Sequence, residues 1–307
     1  MPLPQDETLW DSLHLVFATA SGTVRRNLLS DFRNVRASGL IAMKLEEGDR
    51  LIGVATCRDG DDVLLATRRG RCIRFQVTDD TLRVFAGRDS SGVRGIRLIK
   101  GDEVMSLSVL RHVEATNEER AAYLKYAAAR RRNNGDEPRT NGDDPAASGD
   151  DPNASAIEAN GDVADPEEIT TPDEATVDLT LPAERISELE ETEEILLTVT
   201  DAGFGKRTSA YEYRVTGRGG QGIANITLAP RNGTAVAATF PVRPGDDVML
   251  VTDAGRLIRV PADQVRITGR QVMGVTLFRV DANEHVTSVF PIVEDAVEDA
   301  AEDGLDG

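Results

Sequence analysis

Short apolar runs, four to seven residues long and bounded by Gly, Asp and Asn, recur along most of this chain. From His14 they read LVFAT, TVRRNLL after Gly22, IAMKL after Gly39, and LIGVAT ahead of the acidic turn CRDGDD. From Val63 the same order returns as VLLAT, CIRFQV, GIRL and VMSLSVL, and it resumes at Ile195 with ILLTVT. Runs of this length and composition predict β-strands, about four in each stretch. Two stretches break the pattern. Thr116 followed by Glu119 is a capping box, and the helix formers after it, with basic residues in the last turn, predict a helix over about 117–132. AERISELEE, with Pro182 just ahead, predicts a second over about 183–191.

The strands belong to a repeat. Residues 19–26, 67–74, 200–207 and 252–259 read TASGTVRR, TRRGRCIR, TDAGFGKR and TDAGRLIR, so each is Thr, two variable residues, Gly, three more, then Arg. A second motif follows each, beginning at Gly39, Gly92, Gly222 and Gly274. Two motifs in fixed order with a period of about 50 residues mean one structural unit used four times. The units run over 14–62, 63–112, 195–245 and 246–293, an all-β, propeller-like repeat of four-stranded blades. Residues 1–13 read as the remnant of a preceding blade. An insert, 113–194, interrupts the repeat; its part 133–178 has almost no large apolar residues and is expected to be disordered, as is the acidic tail 294–307.

Charge sharpens this division. The net charge of −18 hides a segregation: 113–194 holds 23 acids and 7 bases and 294–307 holds 7 acids, which leaves the repeat region at about +5. A basic residue also accompanies the second-motif turn of every unit: Arg36, Arg88, Arg218 and Arg270. The second motif of unit two adds Arg94. The first motif contributes Arg25, Arg26, Arg68, Arg69, Arg71, Lys206, Arg207, Arg256 and Arg259. Bases at equivalent positions of a cyclic repeat come out on one rim, as a band of positive potential suited to phosphates. A set of unrelated solvated charges is the alternative, and acids would then be expected to mix in.

Other chemistry finds little support. GRGGQG at 217–222 has the spacing of a dinucleotide-binding turn, but IANITL after it alternates like a strand where that fold requires a helix. The G-R-x-x-x-G turns lack the Lys-Ser/Thr that completes a phosphate-binding loop, and a tight turn that needs positive φ accounts for their glycines. Three scattered histidines and two distant cysteines, Cys57 and Cys72, offer no metal set, and the cysteines read as reduced thiols. No catalytic residue is expected. No apolar run reaches the length of a membrane span, and MPLPQDETLW lacks the order of a signal peptide, so a cytoplasmic protein is expected.

The stretches ATASGTVRRNLLSDF, GVRGIRLIKGDEVMSL, GFGKRTSAYEY and VMLVTDAGRLIRV resemble the C-terminal DNA-wrapping domain of DNA gyrase A, over about 14–110 and 195–293. That resemblance implies a β-pinwheel whose basic outer edge bends duplex DNA. It implies as partners the N-terminal breakage-reunion part of gyrase A, and gyrase B, within an ATP-dependent type IIA topoisomerase. The DNA-cleaving tyrosine and the ATPase regions are not in this chain; ATP and Mg would be bound by other parts of the enzyme and no cofactor by this one. The family's disc has about six blades and this chain shows four. The family's Q-R-R-G-G-x-G box belongs to its first blade; here TGRGGQG at 216–222 keeps R-G-G-x-G in a later unit. The C-terminal domain of the corresponding protein of topoisomerase IV is the nearest alternative. A propeller scaffold for protein partners is the rival from another class, and it would need apolar rim anchors that the repeat lacks.

Overall fold

Antiparallel pairing builds four small sheets in a computed structural model that describes residues 4, 6–35, 38–134 and 180–292. In unit one, β1 (His14–Thr19), β2 (Thr23–Leu28) and β3 (Leu51–Cys57) form the body of the first sheet. Unit two supplies β4 (Asp62–Thr67), β5 (Arg71–Gln76), β6 (Val93–Arg94) and β7 (Val104–Leu110). The insert holds α1 (Asn117–Asn134) and α2 (Ala183–Thr192). Unit three has β8 (Ile195–Thr200), β9 (Phe204–Ser209), β10 (Ile223–Ala224) and β11 (Val236–Val242); unit four has β12 (Asp247–Thr252), β13 (Leu257–Pro261), β14 (Val275–Thr276) and β15 (Val286–Ile292).

The sheets do not coincide with the sequence units. Their orders are β3-β1-β2-β6, β10-β5-β4-β7, β11-β8-β9-β14 and β13-β12-β15, so the two-residue strand of each later unit crosses to the preceding blade. Its register is the same each time: Val93 opposes Val24, Ile223 opposes Cys72, and Val275 opposes Gly205. The second-motif glycine explains the choice of residue. A Cβ on Gly92 would strike the Val24 carbonyl and one on Gly222 the Cys72 carbonyl, and both glycines have positive φ. Only glycine lets the crossing strand approach so closely.

This exchange corrects one expectation. IAMKL was read as a strand, yet residues 40–45 lie outside the strands of unit one. Its counterparts form strands only by pairing with the second strand of a preceding unit, and no such strand is among the described residues. Ala42 and Met43 instead pack with Trp10 and Phe32 on Leu15, Phe17 and Leu29, and Ile41 remains 77% exposed.

Blades meet face to face. Val16, Ala18 and Val24 of the first pack on Val63, Leu65 and Ile73 of the second. The opposite face of the second, through Leu64, Ala66 and Cys72, meets Leu196, Ala210 and Tyr213; Leu197 and Val199 then meet Val248 and Leu250. β3 lies against β7, β7 against β11, and β11 against β15, a propeller-like succession. The capping box holds α1 as its spacing requires: Glu119 N donates to Thr116 Oγ1 (3.2 Å) and Thr116 N to Glu119 Oε2 (2.8 Å). Tyr123 of α1 packs edge-on against Tyr211 of unit three (5.4 Å), and Leu189 of α2 closes that cluster. The segment expected to be disordered, apart from its first two residues, and the acidic tail both lie outside the described residues. No helix among the described residues is long and apolar enough to cross a membrane.

Candidate nucleic-acid interface

Each first-motif turn feeds its basic residues into the second strand of a blade, and alternation along that strand decides where each cation goes. The motif arginine clasps the next unit. Arg26 donates to the Leu82 carbonyl (3.2 Å), Arg74 to the Ala210 carbonyl (2.7 Å) and Arg207 to the Val265 carbonyl (2.7 Å). Each also holds a carboxylate at 2.7 Å: Asp59, Asp62 and Asp263 respectively. In unit four the motif arginine, Arg259, pairs with Asp247 of its own blade.

The residue before the motif arginine does similar work in two units. Arg25 donates to Asn27 Oδ1 (2.8 Å), Ser90 Oγ (2.6 Å) and the Gly87 carbonyl, and its guanidinium stacks over Phe85 at 4.6 Å. Lys206 donates to the carbonyls of Gly269 (3.0 Å) and Arg270, and burial pushes its ammonium down to about 7. The sequence placed Arg25, Arg26 and Lys206 on an outward rim. The structure buries all three to 1% exposure or less, because the following unit's turn folds over them. Their carbonyl partners replace water, and a phosphate cannot reach them in this arrangement.

The turn arginines grip the preceding unit. Arg88 donates to the Asp31 carbonyl (3.0 Å), Arg218 to the carbonyls of Arg94 (3.1 Å) and Thr81, and Arg270 to that of Ala224. Arg88 and Arg270 are half-buried, and Arg36 lies outside the described residues. Two exposed arginines and one half-buried one are tied to acids. Arg68 and Arg50 share Glu103 (3.0 and 2.8 Å), and Arg256 binds Glu284 while stacking on Phe278 (4.7 Å).

One group is gathered and differently placed. The turn 217–222 lies along β6 and the start of β5, with Gly219 N on the Gly95 carbonyl (2.6 Å), Arg97 N on the Gly220 carbonyl (2.8 Å) and Arg71 Nε on the Gln221 carbonyl (3.0 Å). These contacts bring Arg71, Arg94, Arg97 and Arg218 to the outer edge of the first two blades. Arg69 stands beside them in the β4–β5 turn, against Gly101. Arg71 is half-buried and the other four are exposed. None of the five forms an ion pair with a described carboxylate. Sequence reasoning missed Arg97, which lies three residues beyond Arg94 and past the crossing strand, and it missed the buried clasp of Arg74. No His, Cys or carboxylate cluster able to hold a metal occurs among the described residues. Cys57 and Cys72 are free and buried, which pushes both thiols up to about 12.

The profile of the DNA gyrase C-terminal domain, beta-propeller, matches residues 13–58, 61–111, 194–239 and 246–292, the four units with the insert left out. The chain belongs to this family. It is 70% identical to the DNA gyrase A of Granulibacter bethesdensis over 304 residues, 99% of this chain and 30% of that protein. Against the DNA gyrase A of Rickettsia bellii it is 42% identical, over 96% of this chain and 29% of that protein. The chain therefore spans less than a third of the length of these relatives. A solved structure of a DNA gyrase A C-terminal domain aligns with a TM-score of 0.59 at 18% identity, over 95% of this chain and 73% of that one. The C-terminal domain of DNA topoisomerase IV aligns at 0.60 and 14%, over 92% and 62%. At such identities the two solved structures speak to the fold alone, while the relatives that match in sequence carry the gyrase name, so the topoisomerase IV reading is not favoured.

Proposed function

We propose that this member of the gyrase C-terminal family binds duplex DNA through the phosphates and bends it along the blade edge. In the longer protein it would present DNA to the breakage-reunion part of gyrase A and to gyrase B. ATP and Mg would be held by those other parts, in the cytoplasm, and this chain would hold no cofactor and perform no bond-breaking step. One observation carries the reading: Arg69, Arg71, Arg94, Arg97 and Arg218 gather on one outer edge without carboxylate partners among the described residues. Guanidinium groups so placed displace condensed counterions from a duplex and read no base, while the curvature of the edge favours bendable DNA. Family membership supports the same reading.

The test is the salt dependence of duplex binding by the full chain. Five phosphate contacts give a slope of log K against log salt of about −4.5, with little dependence on sequence. Replacing Arg94 or Arg218 by Gln is expected to make the slope shallower by about one unit each. Binding that ignores salt would overturn the proposal.

A further inference from the structure

The helical insert builds a cleft that the repeat alone does not have. The α1 face bearing Leu124, Ala128, Arg131 and Arg132 stands opposite Arg207 of β9 and Thr268 of unit four, around a cavity of about 480 Å³. Two observations point to an anion there. The charge of Arg131 acts on Arg207: burial is the larger cause of Arg207's lowered pKa, Asp263 opposes it, and Arg131 adds to it, so like charges face each other across the space. Neither acid on the cleft wall pairs with Arg131 or Arg132: Asp263 holds Arg207 inside the cleft (2.7 Å) and accepts from Gly245 N (2.7 Å), and Glu212 acts on the buried Lys206. Compensation of the helix dipole accounts for basic residues in the last turn of α1, but not for turning Arg131 toward another guanidinium.

The repeat says which anion. The turn beside this cleft, 269–274, sits on the third blade as the turn 217–222 sits on the second, where the exposed arginines gather. Following that edge one unit onward leads to the cleft. The bases flanking the turn glycine in unit two, Arg69 and Arg71, become Ala202 and Phe204 in unit three, so the third blade lacks the charge that the second supplies. Toward the other end of β9, α1 brings arginines in from outside the repeat.

We propose that the cleft between α1 and the third and fourth units takes a phosphate of duplex DNA, with Arg131 and Arg132 as donors from the insert. This extends the DNA path proposed above across the insert, and rests on it. The test uses the full chain and one duplex, and compares Arg131→Gln/Arg132→Gln with the control Arg130→Gln, because Arg130 pairs with Glu190 of α2 on another side of the helix. The double variant is expected to lower the magnitude of the salt slope by about two and to weaken binding about tenfold at low salt, with helix content unchanged. The Arg131→Lys/Arg132→Lys variant is expected to restore most of the slope. An unchanged slope and affinity in the double Gln variant, while the wild type binds, would overturn the cleft proposal and leave the blade-edge reading standing. A wild type that shows no salt-dependent binding would overturn both. Inorganic phosphate distinguishes a small-anion pocket: thermal stabilisation by millimolar phosphate that the double Gln variant loses, with duplex binding untouched, would also overturn it.

Discussion

The second and fourth blades carry nearly the same motif, TRRGRCIR and TDAGRLIR, and reach opposite states of burial. Every residue of β4 is buried, since the second blade has a neighbour on each face. In β12 burial alternates: Leu250 packs on the third blade, while Met249 and Val251 share a face with Leu257 (63% exposed) and Phe290 (45% exposed). Propensity and pattern make the strand, but the neighbour makes the core. In a repeat protein each unit supplies only half of each interface, so equal sequences acquire unequal energetics from their place in the row.

The sharpest way to break this comparison is at the motif arginine. Arg74 and Asp62 are 3% and 0% exposed and 2.7 Å apart, with His112 on the second carboxylate oxygen at 2.9 Å. Truncating Arg74 to Ala strands a buried carboxylate and is expected to cost about 3–5 kcal/mol in chemical denaturation. Its counterpart Arg259 meets Asp247 at a half-exposed site, and Arg259→Ala is expected to cost about 0–1 kcal/mol. Equal costs would mean that the two clasps are equivalent and that position in the row decides nothing.

That pair of clasps also marks how far the sequence was legible. The period, the turn glycines and the helix cap could be read because each is a local demand of the backbone, met by Gly22, Gly92 or the Thr116–Glu119 box. The crossing of β6, β10 and β14 could not, because a two-residue strand has too little pattern to name its partner. Arg26 and Arg94 look alike in the sequence, and only the turn folded over the first separates them. A signal for the clasp was present: Asp stands twelve residues ahead of the motif arginine in units two and four, and each pair meets across the sheet. The five edge arginines became a site only when the turn 217–222 brought residues from two units together.

A second difference lies one residue before the motif arginine, where the third blade has Lys206 and the fourth has Ile258. The pKa of Lys206 falls from the ordinary 10.5 to about 7, because burial disfavours its charged form. A depressed lysine makes the unfolded chain bind more protons than the folded one between those values, so stability rises with pH from about 7 upward. Above about 9 the two buried thiols, raised to about 12, begin to oppose this, since the unfolded chain then loses their protons first. Between pH 7 and 9 the gain is expected to approach about 1.4 kcal/mol per unit, read as denaturation midpoints. Lys206→Met should flatten the profile, bringing the third blade to the state that Ile258 gives the fourth. An unaltered slope in the variant would place the titration elsewhere.

The smallest effect concerns the bare face itself. Leu65, on the central strand of the second blade, is fully buried between Val16, Ile73 and their neighbours, and Leu65→Ala is expected to cost about 2–5 kcal/mol, the transfer term plus a cavity that close packing cannot collapse. Leu257 follows the turn of the fourth blade and opposes Val251 across the ladder, yet most of its surface meets solvent. Burial of about a third of a leucine is worth roughly 0.5–1 kcal/mol, and no cavity forms where water already stands. Leu257→Ala is therefore expected to cost no more than about 1 kcal/mol by denaturation of the two variants side by side. A cost near that of Leu65→Ala would show that in solution something covers the outer face of the fourth blade as the third blade covers the second. The contrast between the two blades would then be one of neighbours still to be found.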